Sequence, residues 1–189
     1  MSPLSEQFLD RLASAAVEED LADAVYTRLP TPIGPLVVVQ GRQGVVRIAF
    51  EGEPLDHTLA RVAAGVGPRI VHSDRELAGT RDALSAYLEG DDEVLNLPVD
   101  LGFVHAPFRR EVLETLHDTV RRGEVVTYGA LAARSGRPKA FRAAATACAR
   151  NPVPIVVPCH RVLPGGGGIG NYGGGAARKR VLLELEGAL

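Results

Sequence analysis

A length of 189 residues, 46% hydrophobic and 23% charged, suits a globular protein of one or two domains that can bury a sizeable core. No apolar run approaches the roughly 20 residues of a membrane span, and no basic stretch leads into an apolar one at the N-terminus, so a cytoplasmic protein with neither membrane anchor nor signal peptide is expected. Two cysteines, Cys148 and Cys159, exclude a multi-cysteine zinc site and argue against a disulfide framework, and the net charge of −2 conceals an uneven distribution.

In chain order, Leu4 to Asp20 reads as a short amphipathic helix, with Phe8, Leu12 and Ala15 or Ala16 at helical spacing. Ile33–Val39 and Val45–Phe50 are β-branched and apolar, and the segment from Gly41 to Gly44 between them predicts a hairpin. Ile70-Val71 is a candidate third strand. Ser73 and Glu76 have capping-box spacing ahead of a helical face made by Leu77, Leu84, Tyr87 and Leu88, with Gly90 as the stop. Val94 to Val99 reads as one more strand.

A second unit is expected from Val104, which divides the chain into residues 1–103 and 104–189. Charge divides there too. The second unit carries 13 Lys and Arg against 6 Asp and Glu (+7), and the first carries 8 against 17 (−9). A basic module facing a polyanion beside an acidic module fits this split. Pro107 suits a first helical turn, and Phe108, Val112, Leu116 and Val120 recur every four residues up to Gly123. Thr127 can cap a helix from Tyr128 to Arg134. Gly136 and Pro138 then make a turn before a second, Ala-rich helix from Lys139 to Arg150. Two helices around a short Gly-containing turn form the helix-turn-helix pattern, which many helical hairpins share. Ile155–Val157 reads as a buried strand ended by Pro158. A glycine-rich loop, Gly165 to Gly175, contains one aromatic residue, Tyr172, and a helix from Ala176 to Glu186 closes the chain.

Cys159 follows the apolar run at a proline-initiated turn, beside His160 and Arg161. The thiolate is the reactive form of cysteine, and neighbouring histidine or positive charge favours it. Adjacent residues of an extended segment point to opposite faces, so a turn or a bridging water is needed to bring the imidazole to the thiol.

The string Pro158-Cys159-His160-Arg161-Val162, preceded by Asn151-Pro152 and followed by Asn171-Tyr172-Gly173-Gly174 and Leu182-Leu183-Glu184-Leu185-Glu186-Gly187, resembles the O6-alkylguanine-DNA alkyltransferase family. The resemblance is close from Pro107 to Leu189 and looser from Thr31 to Asp100, where Thr31-Pro32-Ile33-Gly34-Pro35-Leu36 looks like the start of the family's first domain. It implies an α/β N-terminal domain of ribonuclease-H-like fold and a mainly α C-terminal domain whose helix-turn-helix enters the DNA minor groove. It implies direct-reversal repair of double-stranded DNA carrying O6-alkylguanine, one alkyl group per protein molecule; no cofactor is expected, and no metal, since the cysteines of the N-terminal zinc site that some relatives carry are absent here. Cooperative self-association along DNA is left open.

Under the same resemblance Cys159 is the alkyl acceptor, His160 a general base acting through water, Glu186 its orienting carboxylate, and Asn151 the brace of the cysteine turn. Tyr128, Val162, Tyr172 and Gly173 would hold the base, through a hydroxyl, a carbonyl, a stacking ring and a backbone N–H. Arg142 would fill the stack left by the extruded base. From the residues themselves, the small side chains of Ala143 and Ala144 permit close approach to the groove, and Arg137 and Lys139, placed near the turn, are expected to contact phosphate.

The chain also departs from the family pattern. Leu113 stands where tryptophan is frequent, Cys148 where a larger apolar residue is frequent, and Pro164–Gly168 is unusually rich in glycine. Rival readings are a lesion-binding relative without the acceptor, which Cys159 argues against, a helix-turn-helix regulator, which has no use for the cysteine string, and a cysteine hydrolase, which needs an oxyanion hole.

Overall fold

The computed structural model describes residues 6–90 and 96–189. β1 (Ala24–Leu29), β2 (Leu36–Gly41) and β3 (Gly44–Phe50) form an antiparallel meander, and β4 (Ile70–His72) joins parallel to β1, giving the order β3-β2-β1-β4. Side chains alternate across the sheet. Leu29, Leu36, Val38 and Ile48 face one apolar cluster, while Ala24, Val37, Val39 and Val46 face another. A register shift between Val39 and Gln40 inserts an extra residue in β3, which turns Val45 to the same cluster as Ile48.

The hairpin expected around Gly41–Gly44 is present, and its tightness has a cause. Gly44 has φ +146°, and a Cβ there would lie 2.4 Å from the Pro98 carbonyl oxygen. The chain crossing at Pro98 therefore needs glycine at 44. That crossing replaces the strand expected over Val94–Val99. Val94 and Leu95 lie outside the described residues. The remainder makes one bridge, Val45 to Val99, because Pro98 has no N–H to extend a ladder.

Three further elements of the first half differ from expectation. β1 and α2 (Leu55–Ala63) were not foreseen, and α2 covers the second sheet face through Leu59 and Val62. The first helix, α1 (Glu6–Glu18), docks through Ala13 and Ser14, whose small side chains allow close approach, and it leaves Phe8 and Leu12 exposed. Ser14 also takes Glu76 away from a reciprocal capping box: its hydroxyl donates to the Glu76 carboxylate at 2.6 Å, while the Glu76 N–H reaches Ser73 Oγ at 3.2 Å. α3 (Ala78–Leu88) starts beyond that turn and buries Leu84, Tyr87 and Leu88 against the first sheet face.

The second half is helical. α4 (Pro107–Thr119) begins with proline at its first position and buries Val112, Leu113 and Leu116. α5 (Tyr128–Arg134) is capped by Thr127, whose hydroxyl accepts the Ala130 N–H at 3.1 Å. A turn through Gly136, at φ +73°, leads to α6 (Phe141–Ala149). Lys139 and Ala140 belong to that turn rather than to the helix, since the Ala140 N–H closes onto the Arg137 carbonyl at 2.8 Å. Short strands β5 (Val126–Thr127) and β6 (Val162–Leu163) pair in parallel, and α7 (Ala176–Leu185) packs behind them. One continuous apolar cluster joins the first sheet face, α3, α4, α5, α6 and the 153–162 segment. The Ile48 N–H also donates to the Pro152 carbonyl at 2.9 Å, tying β3 to the turn that carries Cys159.

Candidate active site

The segment before Cys159 is not the expected strand. Pro152, Pro154 and Pro158 remove three of its donors, so a ladder cannot form. It folds instead into a tight buried turn with Ile155 at φ +77°, a costly conformation for a β-branched residue that the surrounding packing holds in place. Cys159, His160 and Arg161 continue as one turn of 3₁₀ helix. Asn151 braces both parts. Its Oδ1 accepts the Val153 N–H at 3.0 Å, and its Nδ2 donates to the Val157 carbonyl at 2.8 Å and to Cys159 Sγ at 3.1 Å.

Behind the cysteine lies a buried network centred on Glu186. Arg161 grips the carboxylate with two guanidinium nitrogens, Nε to Oε2 at 2.9 Å and Nη2 to Oε1 at 2.8 Å, and sends Nη1 to the Val120 carbonyl at 2.6 Å. His160 Nε2 meets Oε1 at 3.0 Å, and the Tyr87 hydroxyl donates to the same oxygen. Burial opposes ionisation of Glu186, yet the donors from His160, Arg161 and Tyr87 outweigh it and hold the carboxyl well below its ordinary 4.5. An ionised carboxylate only accepts, so His160 Nε2 carries the proton. Nδ1 keeps its lone pair and has no partner among the described residues. Burial also lowers the imidazole pKa, and Glu186 only partly offsets this, so His160 is a neutral base at pH 7.

Cys159 itself is buried, and burial pushes its thiol up to about 11, while the Asn151 hydrogen bond and Lys179 pull it back. Lys179 is wholly buried on α7, with Nζ donating to the Val162 carbonyl at 2.8 Å. Deprotonation of this thiol therefore needs help, and Asn151 and Lys179 both favour the thiolate. A cavity of about 590 Å³ opens onto Cys159 between Tyr128, Cys148, Asn171, Tyr172 and Gly173. Phe50 packs edge-on against Tyr172 with ring centroids 5.6 Å apart, and Gly174 lets it approach, since a Cβ there would stand 2.9 Å from the Phe50 ring.

Acid should weaken this arrangement. His160 has a folded pKa below its ordinary 6.5 and Glu186 one below 4.5, so the unfolded chain binds more protons than the folded one as pH falls. The stability these groups contribute is present above about pH 6.5 for His160 and pH 4.5 for Glu186, and it is lost as pH falls through their folded values. Thermal melts between pH 8 and 5 should show a falling midpoint. His160→Gln should flatten the part of that fall that begins near pH 6.5. An unchanged slope in that variant would contradict the assignment.

The structure brings Cys159, His160, Glu186 and Asn151 together, and it lines one cavity with Tyr128, Tyr172 and Gly173. Val162 is fully buried and does not line that cavity, and its carbonyl accepts from Lys179 Nζ at 2.8 Å. Arg142, Arg137, Lys139 and Ala143 are exposed along the helix-turn-helix, with the Arg137 guanidinium 4.7 Å from the Phe108 ring centroid and that of Arg142 5.5 Å from the Phe141 ring centroid. Ala144, expected beside them, is instead fully buried. It lies on the face of α6 that also buries Ala147 and Cys148, and so faces the core. Tyr87 and Lys179 were not foreseen, and Arg161, expected as a positive charge favouring the thiolate, is turned onto Glu186 and the Val120 carbonyl instead. Lys179 left a signal, a lysine in register with Leu182 and Leu183 on the buried face of its helix. Tyr87 left none, because its partner lies 99 residues away.

A sheet unit tied to a helix-turn-helix unit, with a buried cysteine backed by a histidine–carboxylate pair, defines a cysteine-centred helix-turn-helix protein. Residues 24–101 match the family described as 6-O-methylguanine DNA methyltransferase, ribonuclease-like domain, and residues 107–188 match the corresponding DNA binding domain. The chain belongs to the 6-O-methylguanine DNA methyltransferase family. It is 38% identical over 167 residues to a methylated-DNA–protein-cysteine methyltransferase of Shigella flexneri, covering 86% of this chain and 95% of the relative. To the protein of the same name from Homo sapiens it is 36% identical, covering 85% and 79%. Among solved structures it resembles the Mycobacterium tuberculosis OGT in complex with DNA, with TM-score 0.71 and 32% identity over 87% of this chain and 93% of that one. Among the described residues no helix is long and apolar enough to cross a membrane.

Proposed function

We propose that this chain repairs alkylated DNA directly in the cytoplasm, moving an alkyl group from O6 of guanine to Cys159 once per molecule. Residues 1–103 form the α/β unit and residues 104–189 the DNA-binding and reacting unit. The observation that carries the reading is the Cys159 thiol lining the same cavity as Tyr128, Tyr172 and Gly173, held by Asn151 and backed by His160–Glu186. His160 Nδ1 takes the thiol proton through a water, and Glu186 stabilises the imidazolium that forms. The thiolate attacks the alkyl carbon. A sulfur–carbon bond forms, the carbon–O6 bond breaks, and its electron pair moves onto guanine. The Tyr128 hydroxyl and the Gly173 N–H stabilise the charge that builds on the departing oxygen. Tyr172 stacks on the base.

A base inside a duplex cannot reach a buried thiol, so it must be extruded, at a cost of a few kcal/mol. In this reading α6 lies in the minor groove, Ala143 allows close approach, Arg142 fills the vacated stack, and Arg137 and Lys139 hold phosphates. Arg142→Ala should slow repair of duplex DNA strongly and repair of the free alkylated base much less. Equal slowing on both substrates would assign Arg142 to the pocket instead. The reading as a whole is tested by stoichiometry. A thioether resists hydrolysis, so guanines repaired should plateau at one per protein chain. Many guanines repaired per chain would refute it.

A further inference from the structure

We propose that Arg178 is a positioning residue for the base: it fastens the cavity wall formed by Tyr172, Gly173 and Gly174 to the α/β unit, so that the first half of the chain sets how tightly the base is held. The inference rests on the repair reading and gives residues 1–103 a part in it. Arg178 stands in the first turn of α7, and its guanidinium reaches across the junction of the two units. Nε donates to the Ile33 carbonyl at 2.6 Å, in the turn between β1 and β2, and Nη1 donates to the Gly174 carbonyl at 3.0 Å. Nη2 stands 3.4 Å from Glu51 Oε2, and the guanidinium carbon lies 5.6 Å from the centroid of the Phe50 ring, the ring that packs against Tyr172. Glycine at 34 clears the space. Its φ is +95°, and a Cβ there would lie 2.8 Å from Arg178 Nη2 and displace the guanidinium.

The wall needs such a fastening. On its N-terminal side Gly165, Gly166, Gly167 and Gly168 are exposed, and a Cβ added at any of them would meet nothing within 4 Å. Backbone freedom is greatest at glycine, so this stretch gives the wall little support. On the C-terminal side the Gly175 N–H closes a turn onto the Tyr172 carbonyl at 2.9 Å, and Arg178 takes the Gly174 carbonyl inside that turn. A planar guanidinium offers several donors in a fixed fork, so it can hold two carbonyls of different units at once and fix their relative place, which a lysine ammonium on a flexible stem does far less well. Every residue lining the cavity between Tyr128 and Tyr172 belongs to the second unit. The first unit therefore acts on a bound base through its contacts with that lining, and Arg178 and Phe50 supply them at the wall.

The test compares Arg178→Met, which keeps the apolar stem, with Arg178→Lys, which keeps the charge. Hydrogen exchange of the peptide spanning residues 172–175, read by mass spectrometry, should quicken in the methionine variant while peptides of α4 keep the parent rate. Transfer from free O6-methylguanine, followed against its concentration, should need about tenfold more base for half-saturation, the scale of one weakened base–aromatic stack, with a limiting rate close to the parent's. Alkylation of Cys159 by iodoacetamide, which needs no base pocket, should keep the parent rate and pH profile. The lysine variant should fall between parent and methionine variant in exchange and half-saturation. Parent exchange at residues 172–175 in the methionine variant would overturn the fastening, and so would faster exchange with an unchanged half-saturating concentration. A matching loss in the iodoacetamide reaction would overturn it too, because Arg178 would then act on the thiol or on the fold as a whole. Transfer by the parent chain tests the repair reading, and exchange tests the fastening with no substrate present, so failure of one is distinguishable from failure of the other.

Discussion

Cys159→Ser should abolish alkyl transfer while duplex binding survives. An alcohol is a far weaker nucleophile than a thiolate at neutral pH, and the substitution changes one buried atom without touching the exposed arginines of the helix-turn-helix. The hydroxyl can still accept from Asn151, so the turn keeps its brace. Single-turnover repair assays and duplex titrations on the same preparation check both halves of the expectation. Transfer near the normal rate would move the acceptor elsewhere. Cys148 is the alternative thiol, since it lines the same cavity, but burial raises its pKa even further and it has no Asn151 donor. Cys148→Ala should accordingly keep most of the activity.

Glu186→Ala has the second large effect, and it acts on fold and chemistry together. The carboxylate is the shared acceptor of Arg161, His160 and Tyr87, all buried. Removing it leaves the Arg161 charge with only the Val120 carbonyl, and breaking such a pair from one side costs about 3–5 kcal/mol. A large loss in denaturant midpoint is expected. Glu186→Gln separates the two roles. It preserves shape and one acceptor oxygen but not the charge that stabilises an imidazolium, so it should fold better than the alanine variant and still transfer slowly. A glutamine variant with parent rates would reduce Glu186 to a purely structural part.

Much of this was legible in the residues, and the failures have physical causes. The hairpin, the Thr127 cap, the proline at the start of α4 and the turn at Gly136 are local devices, each visible in a few neighbouring positions. Ile155–Val157 misled because apolar β-branched composition marks burial as readily as a strand, and the flanking prolines decide between them. α1 misled because its docking surface is set by small residues, Ala13 and Ser14, rather than by its large ones. In the site, the Pro-Cys-His-Arg-Val string and its flanks pointed to Cys159, His160, Asn151 and Glu186. Tyr87 could not be found that way. It looks like one more residue on the apolar face of α3, and only the folded chain brings its hydroxyl to Glu186 from the other half. Ala144 shows the converse limit, since helical phase around an alanine-rich segment has few large residues to fix it.

The central claim is that the alkyl group ends on one particular sulfur. Intact mass spectrometry of the chain after mixing with excess O6-methylguanine duplex, followed by peptide mapping, tests this most directly. The predicted result is a single added CH₂ unit per chain, confined to the peptide containing Cys159, in protein that repairs no further guanine. An unmodified chain that has nevertheless repaired the DNA, or an added group mapped to Cys148, would contradict it.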